Sequence, residues 1–420
     1  MTTYSIRHLV ALALLMVCTH PGSRRQFEHD RSVGFTAENL GRLIDEPTDC
    51  TASTWTVDYL FRKMAPSGLE AIPPAICREL ICARRLESFR FHGEYLVAVD
   101  GTELHRFRNR SRPHCQACLR QTHSNGSTDY FHSVLEAKLV SESGLAFSMA
   151  SEFIENPDGE YDKQDCELKA FYRLVPRLKA AFPRLPICLL MDSLYANETL
   201  LDICLANHWS FFVGFKEGSI PTLYAQMLER IDSNPRQVVS GSDEHASYTC
   251  RWACNLKYHA RGLHALSFHT TDSKTGKETR FVYLTDHRPN AELAVEMVNM
   301  GGRQRSKIEN QGFNVQKRGG YELENGYGFR ENALRNYYFL VQTVHCLHQL
   351  MLYTDVNSKL LSKAAGPNTN QPRTGLQAFR SLRNLAKRLG EALRYHLFSA
   401  LALSKDFARS LQLRFVFDTS

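Results

Sequence analysis

The sequence predicts an α/β protein: a mixed sheet flanked by helices, with a β-rich insertion and helical N- and C-terminal regions. Three observations predict it. Residues 1–90 carry helical spacing broken by turn clusters at HPGSRR, DEPTDCTAS and APSGLEAIPP. Between residues 91 and 215, short apolar runs alternate with helical ones, in the order strand, hairpin, helix, strand, helix, strand. Residues 217–300 then read as a β-rich insertion around a DSKTG turn.

The elements follow in order. LVALALLMVC, residues 9–18, has about the length of a signal-peptide core but lacks a small-x-small cleavage site after it. It is too short to span a bilayer, which takes ~20 apolar residues. A buried helix stopped by HPGS is the favoured reading. GEYLVAVDGTEL is an apolar strand ending in an acid. YFHSVLEAKLVSESGLAFSMASEFI is a hairpin turning at Ser141–Gly144. In QDCELKAFYRLVPRLKAAF, Cys166, Ala170, Leu174, Leu178 and Ala181 share a helical face. Asp165 and Glu167 sit in its first turn, where acids suit the helix dipole; Pro176 is expected to kink or split it. PICLLMD is a second buried strand ending in an acid, NETLLDICLANHW a helix and SFFVGF a strand.

Residues 301–355 return to helix, GFRENALRNYYFLVQTVHCLHQLMLY being the long segment. Asn357–Gly375 reads as a polar linker with Pro367 and Pro372. A basic amphipathic helix over 376–400 follows, with Leu382, Leu385, Leu389 and Leu393 as its stripe. The regions are therefore 1–90, 91–355 (carrying the insertion at about 217–300) and 356–420.

The 420 residues carry a formal charge of +7. That permits a nucleic-acid partner without requiring one, because the placement of charge matters more than its sum. The chain has 12 cysteines. Most lie singly in apolar runs (Cys188, Cys204, Cys346) and read as small buried hydrophobes rather than as a disulfide framework.

Two apolar strands end in aspartate, at Asp100 and Asp192. A lone carboxylate there is expensive to bury. Either can simply open a turn, and Asp100-Gly101 suits one. As a pair, on a first and a fourth strand separated by a hairpin and a helix, they match the RNase H-like layout, in which acids converge at strand ends to bind metal. Mg²⁺ takes carboxylate and phosphate oxygens, and two ions a few ångströms apart need more than two aspartates. Glu309 is the candidate third acid. It lies four residues after Arg305 on the presumed helical face, in a segment that also holds Arg303, Lys307, Lys317 and Arg318. A solvated helix with an Arg–Glu pair explains the same spacing.

VAVDGTEL, KQDCELKAFYRL, LLMDSLYANE and ENQGFNVQKRGGYELENGYG resemble, in order, the characteristic blocks of bacterial insertion-sequence DDE transposases, closest to the insertion-sequence-four-type group. The resemblance covers roughly residues 1–355 and includes a β-rich insertion between the second Asp and the Glu. It implies that Asp100, Asp192 and Glu309 are catalytic and bind two Mg²⁺ ions, which Mn²⁺ can replace. It further implies a DNA transposase that hydrolyses a phosphodiester at the transposon end and transfers the strand into target DNA. Arg303, Arg305, Lys307, Lys317 and Arg318 are then the DNA-binding cations. The expected partner is double-stranded DNA, with a dimer in the complex, in the bacterial cytoplasm and away from membranes. The chain departs from the group's Tyr-Arg-Glu-Lys signature: Arg305 and Glu309 match it, Gly302 stands at the Tyr position, and Gln316 stands at the Lys position with Lys317 one residue late. Ser193 follows Asp192 where Gly or Asp is usual. These departures define the alternative, a catalytically impaired or domesticated transposase-derived DNA-binding protein.

HCQACLRQTHSNGSTDYFH contributes a compact Cys/His cluster: His114, Cys115, Cys118, His123 and His132. Cys-x-x-Cys with nearby His has zinc-knuckle spacing, and Cys115, Cys118, His123 and His132 are the candidate ligands. With no second Cys-x-x-Cys, structural Zn²⁺ is the less favoured reading.

Overall fold

The structure, a computed structural model, describes residues 4–20, 22–259, 261–354 and 379–399. Six helices open the chain: α1 (Ile6–Cys18), α2 (Arg24–Asp30), α3 (Thr36–Ile44), α4 (Thr54–Lys63), α5 (Ser67–Glu70) and α6 (Ile72–Cys82). The apolar run of residues 9–18 lies within α1. Ser5 caps that helix by accepting from the His8 N–H, and Leu12, Ala13, Met16 and Val17 are buried. Burying such side chains is worth roughly 1.5–3 kcal/mol each for the larger ones. Among the described residues no helix is long and apolar enough to cross a membrane.

The strands are β1 (Arg90–Phe91), β2 (Glu94–Phe107), β3 (Leu119–Thr122), β4 (Thr128–Val140), β5 (Ala146–Ile154), β6 (Ile187–Met191), β7 (Ser210–Gly214), β8 (Val238–Ser242), β9 (Ala246–Tyr258), β10 (Arg261–Asp272) and β11 (Glu278–Thr285). All belong to one sheet in the order β3–β4–β2–β6–β7–β11–β10–β9–β8, with β1 on β2 and β5 on β4. The β4–β5 hairpin turns at Ser141–Gly144, as its sequence predicts. The Gly144 N–H closes the turn onto the Ser141 carbonyl, with Gly144 at φ +92°, a conformation glycine adopts without strain. β2 is antiparallel to β4, whereas β2, β6 and β7 run parallel. The parallel steps are made by α7 (Glu167–Ala181) before β6 and α8 (Glu198–Asn207) before β7.

α7 runs unbroken through Pro176, contrary to the expected split. Pro176 and Tyr172 both lie on the exposed face, so the carbonyl that loses its helical partner faces solvent. The insertion is a continuation of the main sheet rather than a separate unit, because β11 pairs antiparallel with β7. It also contains a helix its sequence did not suggest, α9 (Pro221–Ser233), which buries Leu223, Met227 and Ile231.

Both faces of the sheet are covered. Val97, Val99, Leu189 and Met191 pack toward α7, and Leu96, Ala98, Cys188 and Leu190 pack toward the 294–318 segment. The long helix α12 (Ala333–Tyr353) follows that segment, whose two α-helical pieces are α10 (Ala294–Glu296) and α11 (Asn314–Arg318). The basic helix appears as α13 (Leu382–Tyr395), shorter than 376–400. It buries Leu385 and Leu393 and leaves Leu382 and Leu389 half-buried. The expected linker at 357–375 lies outside the described residues.

A polar network runs through the interior. Lys138 on β4 is fully buried and donates to Gln342 on α12 (2.5 Å) and to Glu136 (3.5 Å). Glu136, also fully buried, accepts from Ser151 (2.6 Å) and from Tyr338. Gln342 exchanges hydrogen bonds with Gln316 on α11. Gln349 clasps the start of β5, accepting from the Ala146 N–H at 2.8 Å and donating to its carbonyl at 3.1 Å. A buried charge is tolerable only with such partners.

Three histidines lie beside Tyr321 at the edge of this network. Burial pushes His348 down to about 3, His20 down to about 4 and His345 well below its ordinary 6.5. Each has a ring nitrogen that is buried without a partner. A histidine held neutral by the fold stabilises it above the unfolded pKa, and that contribution is lost as pH falls. Conformational stability is therefore expected to drop between pH ~6.5 and ~4, by on the order of a few kcal/mol. Urea midpoints at pH 7.5 and 4.5 check this. His348→Gln, which keeps an acceptor for Tyr321, flattens the dependence.

Candidate active site

The β2–β6 register builds the site. Tyr95 pairs with Ile187 and the ladder continues to Ala98 opposite Leu190. Asp100 and Asp192 each lie two residues beyond that last pair. In a parallel ladder with two-residue side-chain alternation, equal offsets place both carboxyls at the same level and on the same face. Asp100 does not open a turn: β2 continues to Phe107 because β4 still pairs with it there. β6 stops at Met191, so Asp100 sits mid-strand beside the place where its parallel neighbour ends. Asp192 does begin a turn, accepting the Leu194 N–H at 2.9 Å. Gly214, at the end of β7, allows that turn to pass close, since a Cβ there would stand 3.1 Å from the Ser193 nitrogen.

Two further groups meet the aspartates. Arg305 donates to Asp100 Oδ2 at 2.8 Å. Glu167, from the first turn of α7, reaches so close to β2 that a Cβ on Gly101 would collide with its carboxyl. The sequence reading gave Asp165 and Glu167 one shared role at the helix N-terminus, and the structure separates them. Asp165 is bound by Arg173 (2.6 Å), which also holds Glu152 and so anchors the start of α7. Glu167 has no cationic partner among the described residues. Its one hydrogen bond is a long contact (3.4 Å) from the buried Tyr195 hydroxyl. Burial, then the charges of Asp100 and Asp192, raise its pKa. Asp100 is raised too, by burial and, in smaller part, by Asp192, despite the opposing pull of Arg305. Asp100 and Glu167, both desolvated, share with Asp192 and one arginine an excess of negative charge, and oxygen donors of this kind suit a hard divalent cation.

The 294–318 segment is not the regular helix its spacing suggested. It alternates π-helical turns (Met297–Gly301, Ile308–Phe313) with a 3₁₀ turn (Gly302–Arg305). π turns of this sort concentrate at functional sites. Gly301 and Gly302 permit close packing: a Cβ would stand 2.9 Å from the Phe212 ring and 2.8 Å from the Tyr283 ring, respectively. The space a side chain at position 302 would take is filled by the Tyr283 ring of β11. Beside the acids opens a cleft of about 700 Å³ whose lining includes Asp192, Lys216, Arg280, Tyr283, Arg303 and Arg305.

The other sequence-derived candidates fall as follows. Glu309 is exposed and makes no side-chain hydrogen bond or ion pair among the described residues. Arg305 ends a 3₁₀ turn and Glu309 lies in the following π turn, and no ion pair joins them among the described residues. Arg303 bonds Asn299 (3.0 Å) and stacks over Phe281. Lys317 is held by Glu324 at 3.0 Å. Gln316 is fully buried in the interior network, so its position cannot present a side chain to DNA. Lys307 and Arg318 have no acidic partner among the described residues. Of the cysteine and histidine cluster, Cys115, Cys118 and His132 come together. His123 does not join them; it pairs with Asp129 at 3.1 Å. Glu167 is the residue sequence reasoning missed as a site group; no spacing signal distinguishes it from a dipole-complementing acid.

Comparison with protein-family models and with curated proteins finds no match to this chain.

Glu167→Gln is expected to raise the melting temperature of metal-free protein, because it removes a charge repelled by two neighbours. If the acids hold a divalent cation, the substitution should also shrink the stabilisation given by added Mg²⁺; scanning calorimetry with chelator and with Mg²⁺ reads both. Gly302→Ala should cost about 1–3 kcal/mol by overpacking against Tyr283. In a Tyr283→Ala background the same Gly302→Ala substitution should cost much less, as a double-mutant cycle of equilibrium unfolding would show.

Proposed function

We propose that this protein is a DDE-type DNA transposase with an RNase H-like catalytic core, acting on phosphodiesters with divalent metal. The observation that carries the reading is the in-register pair Asp100–Asp192 on adjacent parallel strands, at the level where β6 ends, flanked by a cationic cleft. The strand order β5–β4–β2–β6–β7, with β4 alone antiparallel, supports an RNase H-like core. Of the sequence blocks that resemble insertion-sequence transposases, VAVDGTEL falls on β2, LLMDSLYANE on the end of β6 and its turn, and KQDCELKAFYRL on the start of α7.

In this reading Asp100, Asp192 and Glu309 hold two Mg²⁺ ions, and Glu167 adds a fourth carboxylate from α7. Bound there, the ions supply charge neutralisation at the scissile phosphate and activation of the attacking oxygen. The protein's own groups do the rest. Arg305 fixes the Asp100 carboxylate. The Leu194 N–H fixes that of Asp192. Lys216, Arg280 and Arg303 line the cleft in which backbone phosphates are neutralised. Catalysis of phosphoryl transfer rests largely on such positioning and electrostatics. The DNA partner comprises transposon ends and target, held by a dimer.

A second reading, a transposase-derived DNA-binding protein without cleavage, draws on two placements. Lys317 is engaged by Glu324, and Glu309 stands outside the contacts that join Asp100, Asp192 and Glu167.

The deciding experiment is cleavage of labelled duplex bearing the element's own terminal repeat. Mg²⁺-dependent cutting at the repeat boundary is expected. Asp192→Asn and Glu309→Gln should each lower it by at least ~10³-fold, on the scale of other essential electrostatic groups. Tight binding without cutting in the wild type would select the second reading, and neither binding nor cutting would overturn both.

A further inference from the structure

The loop 108–118 between β2 and β3 has little apolar anchorage. Arg108, Asn109, Arg110, Ser111, Arg112, Pro113 and His114 are all exposed. It ends in a tight turn, the Cys118 N–H bonding the Cys115 carbonyl, and the Ala117 N–H faces the Cys115 sulfur. That turn brings Cys115 Sγ and Cys118 Sγ to 3.6 Å. The imidazole Nε2 of His132, on β4, stands 3.8 Å from the first sulfur and 3.5 Å from the second. Cys118 and His132 are almost fully buried, at 2% and 4% exposure, and Cys115 is half-buried.

These distances have a chemical meaning. With Zn–S near 2.3 Å and Zn–N near 2.0–2.1 Å, the edges of a ligand tetrahedron come to roughly 3.8 Å for S···S and roughly 3.6 Å for S···N. The three donor atoms already sit close to those edges. We infer that Cys115, Cys118 and His132 form a zinc site, separate from the acidic cluster, that staples the 108–118 loop to β4. The set is two soft thiolates and an imidazole, which selects zinc over the hard cations that suit the carboxylates. One tetrahedral position is left for water. The second cluster of ligand-type residues among those described, Glu94, Cys188 and His287, lacks this character: Glu94 and His287 already form an ion pair at 3.0 Å.

Zinc there closes a loop that the sheet itself does not hold, because β3 pairs only with β4 at the sheet edge. The loop's other ties are the Asn109 and Arg110 N–H groups, which bond Asp129 and the Thr128 carbonyl at the start of β4, a His114–Phe107 stack, and a few hydrogen bonds to the stretch after β5. Asn156 donates to the Cys118 carbonyl at 2.8 Å, and Gln116 donates to the carbonyl of Gly159 at 2.6 Å. A metal joining loop and strand converts binding energy into order for this segment.

The test uses the full chain, stripped with chelator under reducing conditions and titrated with Co²⁺ as the spectroscopic probe. The expected result is a thiolate-to-cobalt charge-transfer band that saturates at a single equivalent, with the strong visible bands of tetrahedral cobalt, both erased by Zn²⁺. Cys115→Ser and His132→Asn, checked for folding by circular dichroism, should lose the charge-transfer intensity. Cys82→Ser, at an exposed and distant cysteine, and Asp192→Asn should keep it. A folded wild-type chain giving no charge-transfer band would overturn the assignment. So would a band that survives Cys115→Ser, or the finding that the native chain holds Cys115 and Cys118 as a disulfide that does not reform a metal site on reduction.

Discussion

The parallel pairing of β2 with β6 is the constraint on which the rest of the site depends. Side chains alternate along a strand, so a slip of one residue would turn Asp192 to the opposite face from Asp100. The register is held by apolar residues on both faces, Val97 and Leu189 toward α7 and Ala98 and Leu190 toward the 294–318 segment. A slip would place each strand's residues on the wrong layer. The core that stabilises the sheet thus also sets the separation of two charges that repel one another. The carboxyls are tolerated because Arg305 partly offsets Asp100 and because strand ends leave a path for cations and water.

The irregular segment 294–318 needs its own support. It packs on the sheet through close glycine contacts rather than through a regular helical stripe, and it carries both Arg305 and Glu309. Much of its fixity comes from the buried polar network. Gly312 lies against the Lys138 stem, where a Cβ would stand 3.2 Å from Cδ and Cε, and Gln316 is bonded to Gln342. Lys138 is in turn neutralised by Glu136. An interior ion pair is a poor source of stability against an apolar alternative, but it tolerates few arrangements of its partners. Here it ties β4, α11 and α12 together behind the arginine that meets Asp100.

Legibility varied with the kind of signal. Elements with clear periodicity or turn chemistry were readable: the β4–β5 hairpin from its Ser–Gly turn, α7 and α8 from their apolar faces, α12 from its length, and α1 as a buried helix. Misreadings arose where non-local pairing overrode local preference. Asp100-Gly101 looks like a turn, yet β4 carries β2 seven residues further. The Arg305–Glu309 spacing looks helical, yet glycines packed against Phe212 and Tyr283 impose π and 3₁₀ turns.

The sequence by itself determined the two apolar strands that carry Asp100 and Asp192, their separation by a hairpin and a helix, and the resemblance that suggests DNA chemistry. These follow from local hydrophobic pattern and residue type, which each segment carries without its neighbours. Only the tertiary structure decided that Glu167 rather than Asp165 faces the aspartates, that Lys317 is engaged by Glu324, and that His132 rather than His123 meets the cysteine pair. For the two acids and the two histidines, chemically similar residues lie close in the chain, and which one reaches the site depends on strand register and on the ion pair that engages the other.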